Sequence, residues 1–127
     1  MAAEYKGRTV ALVGHCGPDV FALRSALRSA LPGAEIVTVR DETTLGRAEA
    51  DLLLVNRVLD GRFDDESGLK LIERLAGGGP ALMLVSNFPE AQAAAADAGA
   101  SPGFGKKELY SDATRDRLRA ALASASA

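Results

Sequence analysis

Four short apolar runs, each of strand length and each followed by a turn or helix signal, constrain this chain more than any other feature. They are Thr9-Val10-Ala11-Leu12-Val13, Glu35-Ile36-Val37-Thr38-Val39, Leu52-Leu53-Leu54-Val55 and Ala81-Leu82-Met83-Leu84-Val85. The first, third and fourth are almost unbroken in hydrophobicity, the pattern of parallel strands covered on both faces. The second alternates between apolar and polar residues, which suits a place nearer the sheet edge. A fifth and weaker strand is expected around Gly103-Phe104-Gly105.

Helical patterns fill the intervals. Gly17-Pro18-Asp19 reads as a helix start, with proline in the first turn and an acid beside the positive end of the helix dipole. Val20, Leu23, Leu27, Ala30 and Leu31 then form an apolar stripe, with Arg24 and Arg28 expected on the opposite face, and Pro32-Gly33 stops the helix. A second helix is expected over Glu42 to Ala50. Leu69, Leu71, Ile72 and Leu75 mark a third, ended by Gly77-Gly78-Gly79-Pro80. Pro89 to Ala98 forms an alanine-rich fourth, stopped by Gly99. Ser111 or Asp112 caps a fifth, with Leu118, Ala121 and Leu122 inward and Arg115 and Arg119 outward, before a frayed tail over Ala123 to Ala127.

The order β-α, five times over, predicts a doubly wound (βα)5 α/β sandwich of three layers, its parallel sheet ordered 2-1-3-4-5. At 127 residues the expectation is a single domain over 1–127 with a core of about 8–123. Hydrophobic residues at 47% and charged residues at 25% supply a core and argue against disorder. Lys+Arg 15 against Asp+Glu 17 leaves a formal charge of -2, without the basic excess of a nucleic-acid module. One cysteine excludes an internal disulfide and a Cys-rich metal site. The N-terminus lacks the apolar core of a signal peptide and no run is long enough to span a bilayer, so a cytoplasmic protein with no membrane partner is expected.

In a doubly wound sheet, ligands sit at the carboxyl ends of the strands. Those ends carry Gly14, His15 and Cys16, then Asn56 and Arg57, then Ser86 and Asn87, then Lys106 and Lys107. Together with Asp51-Leu52-Leu53-Leu54-Val55-Asn56, Ser67-Gly68-Leu69-Lys70-Leu71-Ile72, Leu84-Val85-Ser86-Asn87 and Ala98-Gly99-Ala100-Ser101 leading to Lys106, the sequence resembles the CheY-like receiver domain of response regulators from about Thr9 to Leu122. That resemblance implies the flavodoxin-like fold, no enzymatic activity of its own, and a part in two-component signalling.

The resemblance also implies what has been replaced. Receivers hold Mg²⁺ on two acids after the first strand, where this chain has Gly14 and His15, and accept phosphate on an aspartate matched here by Asn56. A carboxamide offers no anionic oxygen nucleophile, and a hard cation finds no acidic pair. Ser86 and Lys106 match the family's hydroxyl and lysine, Lys107 stands where proline is usual, and Gly103 stands where many receivers carry an aromatic residue. The loop over 57–67 is a few residues longer than usual. A pseudo-receiver is the expectation, with a vestigial pocket of Gly14, His15, Asn56, Ser86 and Lys106, no metal and no cofactor. It signals by phosphorylation-independent contact with a protein partner: a histidine kinase, an output protein or a second copy of itself. The family implies a partner surface on the fourth helix, fifth strand and fifth helix, with Lys107, Tyr110, Arg115 and Arg119.

The alternative is a small-molecule, anion or redox sensor using the pocket around His15, Cys16, Asn56 and Lys106. His15 and Cys16 are the only residues of their kinds. As a redox or metal-responsive pair they fall short of the four ligands of a structural zinc site, and a small thiol beside a pocket-filling imidazole is the favoured reading. An anion between the amides of 14–17 and Lys106 is a further alternative, since the lysine has lost its usual acidic neighbours. Asp60, Asp64, Asp65 and Glu66 read as a solvated loop in preference to a substitute metal or phosphate site. No G-x-S-x-G elbow accompanies the single histidine, so a serine hydrolase is excluded.

Overall fold

The computed structural model describes residues 4–126. Its strands are β1 (Thr9–Val13), β2 (Glu35–Val39), β3 (Leu52–Asn56), β4 (Ala81–Val85) and β5 (Ser101–Phe104). The helices are α1 (Gly17–Ala30), α2 (Glu42–Arg47), α3 (Gly68–Leu75), α4 (Pro89–Asp97) and α5 (Asp112–Ser126), with a 3-10 turn at Lys106–Glu108. The sheet is parallel with order β2-β1-β3-β4-β5, the doubly wound α/β arrangement expected from the alternation.

Alternate strand residues feed two cores. Val10, Leu12, Leu52, Leu54, Met83 and Val85 pack beneath α1 and α5 with Leu23, Leu27, Leu118 and Leu122. Ala11, Val13, Leu53, Val55, Leu82 and Leu84 pack beneath α2, α3 and α4 with Leu45, Leu71, Ile72 and Ala95. Both faces of β1, β3 and β4 are thereby sealed, which is why those runs carry no polar alternation.

Several boundaries differ from the sequence expectation. The second helix ends at Arg47 instead of Ala50, because Ala48 already has extended dihedrals, and its start is capped by the Asp41 carboxylate accepting from the Thr44 amide. β5 begins at Ser101 and stops before Gly105, its register shifted between Met83 and Val85 of the neighbouring strand. Pro102 costs no ladder bond there, since β5 is an edge strand. α5 continues through Ala123 to Ser126, where a frayed tail was expected; Ala127 lies outside the described residues.

Two of the arginines expected to face outward fold back onto backbone carbonyls instead. Arg24 folds onto the open edge of the sheet, donating to the Ile36 carbonyl and the Thr38 hydroxyl. Arg119 donates to the Ala30 carbonyl at the end of α1 and lies over the Tyr5 ring. Both long side chains lay their stems along apolar surface and satisfy carbonyls the secondary structure leaves open.

The 57–67 loop is built rather than merely solvated. Arg62 donates to the Arg40 carbonyl and accepts from the Glu42 amide, a one-residue bridge beside the end of β2. Phe63 packs into the α2–α4 core, and Arg74 of α3 grips Asp65 and Glu42 at 2.6 and 3.0 Å. Asp60, Asp64 and Glu66 stay exposed; Asp65 does not. The loop then enters α3 through Ser67, whose hydroxyl accepts from the Lys70 amide. Ser67→Ala is expected to cost about 1 kcal/mol of unfolding free energy while Ser67→Asp retains it, read from denaturant midpoints at constant slope.

Candidate functional site

The carboxyl ends of β3, β4 and β5 bring Asn56, Ser86 and Lys106 together on one cavity of about 200 Å³, with Arg57, Val58, Val85, Asn87 and Phe88 completing its wall. Three of the five residues expected to share a pocket therefore do so. Gly14 and His15 do not line it, and neither does Cys16.

Gly14 is covered. Its φ of +75° places it in the left-handed region, and a Cβ here would meet Leu59 Cδ2 at 2.6 Å. Its carbonyl accepts from the Asp60 amide at 2.9 Å and from Asn56 Nδ2 at 3.0 Å. Asn56 Nδ2 also donates to the Val58 carbonyl at 2.7 Å. One carboxamide thus spends both its protons on two carbonyls, tying the end of β3 to the end of β1 and to its own loop.

His15 is fully buried, and its Nε2 donates to the Leu54 carbonyl at 2.9 Å. Nδ1 is buried without a partner among the described residues. Burial lowers the imidazole's pKa below its ordinary value; the Leu54 carbonyl opposes this and the Lys106 ammonium adds to it. The ring is a neutral wedge beneath the edge, outside the cavity. Cys16 is half-buried at the N-cap of α1 and makes no side-chain cap hydrogen bond.

Lys106 has an acidic partner after all. Its Nζ donates to Asp19 of the first turn of α1, across 87 residues of sequence. The hydrogen bond from this ammonium holds the Asp19 carboxyl below the usual carboxylate range. The premise of the anion alternative, a lysine without an acidic neighbour beside the amides of 14–17, is therefore corrected: Asp19 of α1 is its partner. Sequence reading had taken Asp19 only as a helix-start acid, and nothing local ties it to Lys106.

Beside the cavity, β4 and β5 are held together by Gln92 of α4. Its Nε2 lies 3.0 to 3.3 Å from the carbonyls of Leu84, Ser86 and Phe104. A Cβ at Gly103 would lie 2.2 Å from the Leu84 carbonyl oxygen and 2.7 Å from Gln92 Oε1, so the missing side chain at 103 is what admits the carboxamide. Ser86 Oγ accepts from the Phe88 amide at 3.1 Å, leaving its proton free to donate. Asn87 Oδ1 accepts from the Lys107 amide. Arg57 stacks over the Phe88 ring at 4.9 Å.

The four residues expected on a partner surface fall on two grooves. Lys107 lines one with Asn87, Gln92 and Arg117. Tyr110, Arg115 and Arg119 line another against Ser29 and Ala30 of α1. There the Tyr110 hydroxyl hydrogen-bonds Ser25 at 2.6 Å and Arg115 pairs with Asp112 and Asp116. Among the described residues no group of three or more His, Cys, Asp or Glu is placed to hold a metal ion. None of the described helices is long and apolar enough to cross a membrane.

No family model matches the sequence and no curated protein matches it. Solved structures do match the fold. A response regulator from Thermotoga maritima shares 22% identity at a TM-score of 0.66, over 91% of this chain and 98% of that one. An orphan response regulator of H. pylori shares 17% at 0.67, over 91% and 97%. The phosphorylated cyanobacterial phytochrome response regulator RcpA shares 15% at 0.67, over 92% and 95%. The fold is the CheY-like, flavodoxin-like doubly wound sandwich.

Two outcomes follow from this geometry. Asn56→Asp replaces a double donor by oxygens facing the Gly14 and Val58 carbonyls, and is expected to cost about 1–3 kcal/mol, measured by denaturant unfolding near neutral pH. Because burial lowers the His15 pKa, the unfolded chain takes up that proton first as pH falls below 6.5. Stability is therefore full above 6.5 and declines as pH falls toward the folded value. His15→Leu should flatten that part of the profile, and leave the separate loss below 3.8 that comes from Asp19.

Proposed function

We infer that this chain is a receiver-like signalling protein that works without aspartyl phosphorylation, through noncovalent contact with a protein partner. The observation that carries the reading is the Asn56 carboxamide. It stands at the carboxyl end of β3, the place matched to the family's phosphate-accepting aspartate, and donates to both the Gly14 and Val58 carbonyls. A carboxylate cannot make those bonds, and a carboxamide cannot form an acyl phosphate. Leu59 packed on Gly14 supports the same reading, since it covers the position matched to the family's metal-binding acids.

A receiver uses phosphate to shift between two states. Here Gln92, wedged where the family's mobile aromatic residue would sit, and the Asn56 bridge both favour a single arrangement. The chain is then a non-enzymatic, cytoplasmic binding module without a cofactor. Its partner is a histidine kinase, an output protein or a second copy, and neither nucleic acid nor membrane is a target. The Lys107 groove and the Tyr110–Arg115–Arg119 groove are the surfaces it offers.

Acetyl phosphate with Mg²⁺ is expected to leave the intact mass unchanged and the melting temperature unmoved. One added phosphoryl group on an aspartate would overturn the reading. The sharper control is Asn56→Asp, which is expected to stay unphosphorylated because no acidic pair is present to hold the metal.

A further inference from the structure

The cavity at the carboxyl edge has a composition that the signalling reading does not use. Its polar lining is dominated by groups with protons to give. Arg57 makes no ion pair among the described residues and is positioned by the Phe88 ring. Lys106 keeps protons beyond the one it gives Asp19. The Ser86 hydroxyl accepts from the Phe88 amide and retains its own proton. The Asn87 carboxamide accepts through Oδ1, which leaves its NH₂ turned to other acceptors. No acidic residue lines the cavity. Asn56 has only its Oδ1 left uncommitted, since Nδ2 donates to the two carbonyls.

The rest of the wall is apolar. Phe88 and Val58 are exposed at 49% and 60%, unusual for such side chains at a site otherwise rich in polar groups. Arg57 without an ion pair among the described residues, and Lys106 shared with Asp19, on a partly apolar wall form a site for a molecule that is both anionic and apolar. At about 200 Å³ the space is below that of pockets for drug-sized ligands, which favours a small molecule.

We propose that this cavity binds, without covalent chemistry, a small organic carboxylate carrying an aromatic or branched apolar group. The carboxylate sits between Lys106, Ser86 and Arg57, and the apolar group lies against Phe88 and Val58. The proposal rests on the reading of Asn56 as a residue that takes no phosphoryl group, and it gives the module an input in place of one.

The test is titration of the full ¹⁵N-labelled chain with benzoate, acetate and inorganic phosphate, followed by amide shifts. Benzoate is expected to shift Asn56, Ser86, Phe88 and Lys106 saturably, with acetate and phosphate each about tenfold weaker or more. Arg57→Gln removes no ion pair, so the fold is retained, and it should weaken benzoate about tenfold. Phe88→Ala should weaken benzoate more than it weakens acetate. Absence of a saturable benzoate shift, phosphate binding as tightly as benzoate, or unaltered benzoate affinity in Arg57→Gln would each overturn the proposal. Failure here on a chain that acetyl phosphate leaves unmodified overturns this proposal alone; phosphorylation of the chain overturns the signalling reading beneath it.

Discussion

Burial of the three inner strands on both faces is the constraint from which the rest of the structure follows. Val10 to Val13, Leu52, Leu54, Val55, Met83 and Leu84 have essentially no exposed surface. A parallel sheet sealed in this way needs a crossover helix between strands, and the right-handed crossover puts α1 and α5 on one side and α2 to α4 on the other. The two faces of the sheet are packed with apolar side chains, so most polar residues of the connecting segments collect where the strands end. The carboxyl edge carries them because the strand-to-helix turns there lead into helix N-termini, whose open amides favour polar neighbours.

At that edge the bonds are mostly between side chains and backbone carbonyls. Asn56 bridges β1, β3 and the loop; Gln92 joins β4 to β5 through α4; Arg74 clasps the loop to α2. Asn56 and Gln92 are donors placed on backbone carbonyls, and Arg74 pairs instead with the carboxylates of Asp65 and Glu42. Moving any one of these segments would leave a donor or acceptor without its partner in a partly desolvated place. What stays open is the cavity between Arg57, Ser86 and Lys106, its donors satisfied only in part.

Much of this was legible in the chain. The unbroken runs named the inner strands, and the better-alternating second run named an edge strand, as the order of the sheet bears out. The ends of those runs named Asn56, Ser86 and Lys106 as neighbours. His15 was misread as part of the pocket because its position after β1 fixes where its backbone lies but not which way the ring turns; it turns inward to the Leu54 carbonyl. Arg24 and Arg119 were read as solvated because helical periodicity sorts Cα positions, while a long side chain can cross back over the rim to a carbonyl. The second helix was read too long because Ala48 to Ala50 have no local breaker.

The sequence by itself determined the layered architecture, the strand order and the group of residues at the carboxyl edge. Those depend on which segments are apolar and in what order, and hydrophobic burial responds to that pattern alone. Only the tertiary structure decided how the polar groups pair: Lys106 with Asp19 across 87 residues, Asn56 with Gly14 across 42, Gln92 with the carbonyls of two strands. A hydrogen bond depends on tenths of an ångström and on direction. Those are set by how helices settle on the sheet, and no spacing along the chain encodes them.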